Sequence, residues 1–172
     1  MKHLVLGGAR SGKSRFAEQR ALNLQQPCFY VATGWAGDDE MSQRIAMHQQ
    51  QRNKHWQLVE EPLSLATALQ NMDGRDHIIL VDCLTLWLSN TLQHEQWPQQ
   101  KQALFNVLPQ LQADIIFVSN EVGSGIVPLG ELSRTFVDQA GWLNQTLAQV
   151  CERVTLVVAG LELHLKPKEH SL

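Results

Sequence analysis

Short continuous apolar runs recur along the chain and are its clearest structural signal. Each run is four to six residues long and shows no regular alternation with polar residues. This pattern is typical of strands that are covered on both faces, as in a parallel sheet with helices on either side. The runs are residues 3–6, 28–32, 78–81, 115–118 and 154–159, and residues 55–59 are compatible with one more short strand.

Longer amphipathic stretches separate these runs and predict helices. The stretches are residues 14–24, 38–52, 63–72, 99–111 and 131–150. Strands that alternate with helices indicate a doubly wound α/β fold. We therefore predict a single domain over residues 1–172, with a mostly parallel sheet and helices on both faces, since 172 residues is a common domain size.

The charge balance excludes several classes of partner. Lys and Arg contribute 14 positive charges and Asp and Glu contribute 17 negative charges, which leaves a net charge of −3. This balance gives no broad positive surface for nucleic acid or an anionic membrane, so we predict no nucleic-acid partner. Any phosphate binding must be local.

Hydrophobicity and cysteine usage bear on localisation. No run approaches the roughly 18 apolar residues of a membrane helix, so we predict no membrane span and a cytoplasmic protein. Cys28, Cys83 and Cys151 each lie in or beside an apolar run. That placement favours free buried thiols in a reducing compartment over a disulfide or a metal site.

A phosphate-binding motif directly follows the first apolar run. Its residues spell the Walker A pattern G-x-x-x-x-G-K-S between a predicted strand and a predicted helix. Backbone N–H groups of such a loop close around phosphate oxygens at the positive end of the helix. We predict that Lys13 contacts the β and γ phosphates and that the Ser14 hydroxyl ligates Mg²⁺. The predicted loop consists of Gly7, Gly8, Ala9, Arg10, Ser11, Gly12, Lys13 and Ser14.

Asp82 ends the apolar run 78–81 and has two interpretations. A carboxylate at the end of a second strand can hold the metal ion, as the Walker B aspartate does. In general, a carboxylate at the end of a strand is equally able to cap a following helix. The Walker A loop upstream favours the metal.

The predicted helix 38–52 carries a candidate nucleophile. Arg44, His48 and Arg52 are spaced by four residues and share one helix face. Two guanidinium groups would disfavour protonation of the imidazole and keep a nucleophilic nitrogen available. From the spacing alone, a solvated helix face with an incidental histidine is the better interpretation.

Four segments read together resemble one family. The sequence closely resembles the bifunctional adenosylcobinamide kinase / adenosylcobinamide-phosphate guanylyltransferases of cobalamin biosynthesis, and the resemblance covers nearly the whole chain. The segments are G-G-A-R-S-G-K-S-R-F-A-E at 7–18, D-E-M-x-x-R-I-x-x-H at 39–48, D-C-L-T-L-W-L-S-N at 82–90 and S-N-E-V-G-x-G-I-V-P at 119–128.

This resemblance implies a two-step reaction and its site. GTP or ATP would phosphorylate the aminopropanol hydroxyl of adenosylcobinamide, and GTP would then transfer GMP to that phosphate through a guanylylated histidine, which the family pattern places at His48. The family also implies a RecA-like fold, Mg²⁺ as cofactor and a homotrimer. The implied catalytic residues are His48 and Lys13, and the implied metal ligands are Ser14 and Asp82. Besides the loop, the implied nucleotide contacts are Ala32, Thr33, Gly34, Gln49, Gln50, Gln51, Arg52, Glu60 and Asp82.

Some positions stay open. Glu61 stands beside Glu60, and either could reach the nucleotide or act as a capping acid before Pro62. Asn120 and Glu121 follow the fourth strand and have either a structural or a substrate-facing role. Leu129 and Gly130 depart from the Glu-Asn that the family usually has there, so the contacts of that loop are uncertain.

Two other functions compete with the family reading. A simple small-molecule P-loop kinase would use the same loop and leave His48 inert. A nucleotide-dependent switch would need a guanine-recognition motif N-K-x-D, but Asn53 and Lys54 are followed by His55 and Trp56. The switch is therefore disfavoured.

Overall fold

The sheet of the computed structural model, which describes residues 1–34 and 56–167, is seven-stranded in the order β3-β2-β4-β5-β1-β6-β7. Strands β1 to β6 run parallel, and β7 is antiparallel to β6 at one edge. The strands are β1 Lys2–Gly7, β2 Cys28–Ala32, β3 Trp56–Glu60, β4 Ile78–Asp82, β5 Asp114–Asn120, β6 Arg153–Val158 and β7 Leu161–Lys166.

Helices connect the parallel strands. Gly12 begins the first helix, with φ of 95°. The last helix carries Glu131 in its first turn, where the helix dipole favours an acid. The α-helices of the described residues are α1 Lys13–Leu22, α2 Leu65–Asn71, α3 Leu84–Gln93, α4 Trp97–Val107 and α5 Glu131–Val150, and a 3₁₀ turn, Leu108–Gln110, follows α4.

Two apolar clusters cover the two faces of the sheet. Alternate residues of a strand point to opposite faces, so Leu4 belongs to one cluster and Val5 to the other. Helix α1 contributes Ala17 and Ala21 to the cluster around Val5, whereas α2 to α5 pack on the other face. Each fully buried aliphatic side chain contributes roughly 1.5–3 kcal/mol to stability. Helices therefore cover both faces, as the sequence predicts.

The predicted strands are confirmed, including the short one, which is β3. The stretches 14–24, 63–72, 99–111 and 131–150 contain α1, α2, α4 and α5. Helix α4 begins two residues earlier, at Trp97, and gives way to the 3₁₀ turn next to Pro109, which cannot donate a helical hydrogen bond. The predicted helix 38–52 lies outside the described residues.

Two elements escaped prediction. Helix α3 is buried around much of its circumference, since it packs against β5, α4 and α5, and it lacks the polar face that reveals a surface helix. Strand β7 alternates Leu161, Leu163 and Leu165 with polar residues, and it directly follows β6. Its short turn at Ala159 and Gly160 uses positive φ at both residues.

The parallel arrangement brings the functional segments to one edge of the sheet. Gly7 of β1 is paired with Asn120 of β5, and Ala32 of β2 is paired with Asp82 of β4. The carboxyl ends of four strands therefore meet there, which is where open α/β sheets bind ligands.

The three cysteines are free and buried, as predicted. Within the described ranges, no helix has the length and apolar character needed to cross a bilayer.

Candidate active site

Residues 7–14 form a tight loop between β1 and α1. The Ser11 amide donates to the Gly8 carbonyl at 3.3 Å, and the Gly160 amide donates to the Ser11 carbonyl at 2.8 Å. The Glu121 amide donates to the Gly7 carbonyl at 3.0 Å, which ties the base of the loop to the end of β5. The loop is thus held from both neighbouring strands, β5 and β6.

Two positions of the loop require glycine. A Cβ atom on Gly7 would lie 2.4 Å from the Ser11 Oγ and 2.6 Å from the Val157 carbonyl oxygen. Gly12 has φ of 95°, which L-residues rarely adopt, and a Cβ there would lie 3.2 Å from the Gly160 Cα. These glycines allow the loop to pack closely against the end of β6 and the turn between β6 and β7.

Lys13 lies inside the loop. Its side chain is 9% exposed, and its Nζ donates to the Gly8 carbonyl at 3.2 Å. The Lys13 side chain therefore crosses the loop and places its ammonium group near the amino end of α1, where the helix dipole also favours anions. A phosphate in this loop would meet a positive charge and a helix end together.

Two buried oxygen atoms beside the loop lack partners. The Ser11 Oγ and the Asn120 Oδ1 have no hydrogen bond within the described part of the chain. Asn120 is fixed through its amide nitrogen, which donates to the Thr85 Oγ1 at 3.1 Å. Buried polar atoms almost always have a partner in the working state of a protein. A ligand or a water molecule at this edge can supply the hydrogen bond that each of these two atoms lacks.

The Asp82 carboxylate is oriented by a tyrosine. Tyr30 donates its hydroxyl to the Asp82 Oδ2 at 2.8 Å, and it reaches there from the adjacent strand β2. Helix α3 is N-capped by Cys83 without a side-chain hydrogen bond, so Asp82 does not act as its cap. The bond from Tyr30 leaves the second carboxylate oxygen for another ligand.

A network of hydrogen bonds fixes the end of β4. Thr33 donates its hydroxyl to the Cys83 carbonyl at 2.7 Å and accepts from the Cys83 amide at 2.9 Å. Asn90 of α3 donates to the Thr33 carbonyl at 2.8 Å and to the Pro62 carbonyl at 3.2 Å. The Thr33 side chain is buried and its hydroxyl is engaged in this network. Its predicted contact with the nucleotide stays a prediction.

The acidic pair before Pro62 divides into two roles. The Glu61 Oε1 accepts hydrogen bonds from the amides of Leu63 and Ser64, at 2.9 and 2.7 Å, directly before α2. Glu61 is thus the capping acid of the pair. Glu60 ends β3 opposite Ala32, at the same edge as the loop, and is the candidate for the nucleotide.

The Cys83 thiol is not an activated nucleophile. Burial raises its pKa, and the neighbouring Asp82 carboxylate raises it further. A thiol that stays protonated is a poor nucleophile and a poor metal ligand. Covalent chemistry at this edge therefore has to come from another residue.

The structure brings most of the predicted residues together. The loop 7–14, Ala32, Thr33, Gly34, Glu60 and Asp82 all lie at or next to the carboxyl ends of β1 to β4. The predicted residues His48, Gln49, Gln50, Gln51 and Arg52 lie outside the described residues. Sequence reasoning missed Tyr30 and Asn90. Asn90 carried a signal, since it is a polar residue within the apolar segment 84–92.

Comparison with known proteins identifies the family of this chain. Residues 3–165 match the family described as cobinamide kinase / cobinamide phosphate guanyltransferase. The bifunctional adenosylcobalamin biosynthesis protein CobP of Pseudomonas aeruginosa is 52% identical over 170 residues, covering 96% of this chain and 98% of that protein. The bifunctional protein CobU of Escherichia coli is 37% identical over 182 residues, covering 96% of this chain and all of that protein.

A solved structure supports the fold. The KaiC-like protein PH0186 from Pyrococcus horikoshii superposes with a TM-score of 0.54, at 13% identity, over 99% of this chain and 82% of that one. The RecA-like P-loop fold predicted from the sequence is confirmed. Given the match over residues 3–165 and the full-length relatives, the chain belongs to the cobinamide kinase / cobinamide phosphate guanyltransferase family.

Proposed function

We propose that this single P-loop site carries out two successive transfers on adenosylcobinamide. In the first, ATP or GTP phosphorylates the aminopropanol hydroxyl. In the second, GTP donates GMP to the new phosphate, which gives adenosyl-GDP-cobinamide. The observation that carries the proposal is the convergence of the Lys13 ammonium, the oriented Asp82 carboxylate and the partnerless Asn120 oxygen at one sheet edge.

In the first step, the hydroxyl oxygen attacks the γ-phosphorus, and the bond from that phosphorus to the β,γ-bridging oxygen breaks. The hydroxyl proton is released to solvent. Negative charge moves onto the departing diphosphate. Lys13 and the backbone N–H groups of the loop stabilise this charge, because they are fixed at the amino end of α1 before the reaction starts.

In the second step, a ring nitrogen of His48 attacks the α-phosphorus of GTP, and pyrophosphate leaves. A phosphate oxygen of adenosylcobinamide phosphate then attacks the same phosphorus, and the N–P bond breaks. In the helix predicted from the sequence, Arg44 and Arg52 lie four residues on either side of His48, where they would disfavour the protonated imidazole. Lys13 serves this step too, because the leaving pyrophosphate corresponds to the β and γ phosphates.

The residues at the loop fit a magnesium ion. Mg²⁺ prefers hard oxygen ligands and usually keeps waters and substrate phosphates beside one or two protein groups. Ser14 and Asp82 supply a hydroxyl and a carboxylate. No group of three or more His, Cys, Asp or Glu that could form a dedicated metal cage occurs in the described ranges. When bound, Mg²⁺ would neutralise charge on the phosphates and help to stabilise the leaving group.

Tyr30→Phe tests the orientation of Asp82. The variant removes the hydrogen bond to the Asp82 Oδ2 and keeps the aromatic ring that packs against Trp56. We expect the Mg²⁺ concentration that gives half-maximal activity to rise roughly tenfold, because outer partners of metal ligands have effects of this size. Nucleotide binding without metal serves as the internal control and should change little. An unchanged Mg²⁺ dependence would contradict the role of Tyr30.

A product assay distinguishes the proposed function from its alternatives. The protein is incubated with Mg²⁺, ATP, GTP and adenosylcobinamide, and the corrinoids are separated over time. We expect the phosphorylated corrinoid first and the GDP derivative second. If phosphorylation occurs and no GDP derivative ever forms, the protein is a simple kinase. If the rate of GTP hydrolysis is the same with and without the corrinoid, the nucleotide-dependent switch becomes the better account.

We also propose a cytoplasmic homotrimer, following the resemblance. Free buried thiols are typical of a reducing compartment. Leu161, Leu163 and Leu165 of edge strand β7 are 75%, 56% and 42% exposed, and such an apolar edge usually has a covering partner. Sedimentation equilibrium that gives the mass of one chain would contradict the trimer.

A further inference from the structure

A second polar pocket lies on the α1 face of the sheet, near the opposite edge from the P-loop. Its volume is about 280 Å³, and it is bounded by the last turns of α1, the amino ends of β1 and β6, and strand β7. Arg20 lies seven residues after Lys13 on α1, so the pocket is about 10 Å further along that helix. The proposed reactions use none of its residues.

Sheet register explains how the pocket is assembled. His3 of β1 is paired with Arg153 of β6, and Thr155 of β6 is paired with His164 of β7. Paired residues and residues two apart along a strand point to the same face. His3, Arg153, Thr155 and His164 therefore all face the side of the sheet that α1 covers, and Arg20 of α1 lines the pocket from above.

Two guanidinium groups in this pocket have no counter-ion. Within the described residues, neither Arg20 nor Arg153 has a hydrogen bond or an ion pair. The helix dipole favours a cation in the last turn of α1 and so accounts for Arg20. It does not extend to Arg153, an exposed residue of β6 whose side chain also lines the pocket. The ammonium of Lys166, by contrast, is occupied, since it donates to the carbonyls of Ala148 and Gln149.

A buried imidazole adds a partnerless polar atom. His3 is 2% exposed, and its Nδ1 has no hydrogen bond within the described residues. Its Nε2 lies 2.9 Å from the Thr155 Oγ1, which lies 3.2 Å from the His164 Nδ1. Burial lowers the pKa of His3 to about 4, and Arg20, Arg153 and His164 contribute to the lowering. His3 is therefore neutral, and the guanidinium charges act directly on its ring.

Two arrangements of protons satisfy both bonds of this chain, because the Thr155 hydroxyl can donate to either imidazole. A bound anion selects the arrangement that places a proton on the His3 Nδ1. In that arrangement, Thr155 donates its hydroxyl to the His3 Nε2 and accepts from the His164 Nδ1. Neutral His3 then carries its proton on Nδ1, the partnerless atom. His164 can carry a second proton on Nε2, which lies 3.7 Å from the Glu162 Oε2. The pocket thus presents an imidazole N–H and two guanidinium forks, which are donors suited to a phosphate oxyanion.

We infer that this pocket is a second anion site, separate from the P-loop, that binds a small phosphate-class dianion through Arg20, Arg153 and the Nδ1–H of His3. Glu162 opposes the anion, but its carboxylate is half-exposed and is turned to His164. Inorganic phosphate and pyrophosphate share the required chemistry. Pyrophosphate is a product of the proposed guanylyl transfer, so only that source depends on the proposed function.

The test follows the imidazole ¹⁵N and ¹H signals of His3 and His164 by NMR. Phosphate and pyrophosphate are titrated separately at constant ionic strength adjusted with chloride, since screening alone alters exposed charges. We expect a saturable shift of the His3 Nδ1 signal, and the anion that saturates at the lower concentration is the preferred ligand. Because Lys13→Ala weakens only the P-loop, the shift should persist in that variant. A His3 signal that does not move, or that moves equally with chloride, would overturn the inference.

Matched arginine variants locate the binding. Arg20→Gln and Arg153→Gln should each weaken binding roughly tenfold or more, because each removes a charge-assisted contact. Arg75→Gln removes the same charge from an exposed arginine whose Nε donates to Gln112, far along the sequence from the pocket, and should leave binding unchanged. Arg20→Lys and Arg153→Lys keep the charge and provide a second comparison if a Gln variant folds poorly. Equal affinity in all the arginine variants would refute the site.

Discussion

Lys13→Ala is expected to reduce both transfers by roughly 10²-fold or more, because in the proposed mechanism one ammonium stabilises the leaving group of each transfer. The Lys13 Nζ donates to the Gly8 carbonyl across the loop, which places its charge at the amino end of α1. The measurement is kcat/KM for each half-reaction, with adenosylcobinamide as substrate in one and its phosphate in the other.

Lys101→Ala is the matched control for this prediction. Lys101 lies on α4, where its Nζ is 5.8 Å from the centre of the Trp97 ring. Its removal takes the same charge from the protein at a position away from the loop, so both activities should stay near their original values. Loss of only one activity in Lys13→Ala would show that the two reactions do not share this P-loop.

His48→Ala is expected to abolish guanylyl transfer, with a loss of about 10³-fold or more, and to leave phosphorylation within about twofold. The reason is chemical: in the proposed mechanism the second reaction passes through a bond between the imidazole and phosphorus, and alanine cannot form it. With Mg²⁺ and GTP labelled at the α-phosphate, the unmodified protein should retain label that survives base and is lost in acid.

His94→Ala is the control for the covalent label. His94 is an exposed histidine at the end of α3, and its loss should leave the label intact. Label that remains in His48→Ala would assign the nucleophile to another residue. Equal loss of both activities in that variant would instead indicate that His48 supports shared binding or structure.

The sequence is sufficient to predict the strands and the loop because these depend on local patterns. Continuous apolar runs mark strands buried on both faces, and the glycines of the Walker A motif mark a backbone that other residues cannot adopt. Helix α3 was missed for the opposite reason. Its burial on several sides removes the amphipathic pattern, so Leu84 to Leu88 read as a continuous apolar segment with one threonine.

The partners of the site residues depend on register and were beyond sequence reasoning. Tyr30 reaches Asp82 because β2 and β4 are adjacent, although 52 positions separate the two residues. Arg20 and Arg153 share a pocket because α1 lies over β1 and β6. Neither contact can be predicted from the residues that surround it in the sequence. Both can be derived only when the strand order is known.

The bonds from Asn90 have a consequence for the evolution of this enzyme. The Asn90 side-chain amide donates to the carbonyls of Thr33 and Pro62. Thr33 directly follows β2, Pro62 lies two residues after β3, and the two strands are paired in parallel. Both ends of the connection that carries His48 are therefore fixed by the core. The contacts that fix both ends therefore come from the described residues. Closing a longer connection costs little additional entropy. We therefore expect changes in the length of that connection to cost the fold little stability, which leaves its length open to selection.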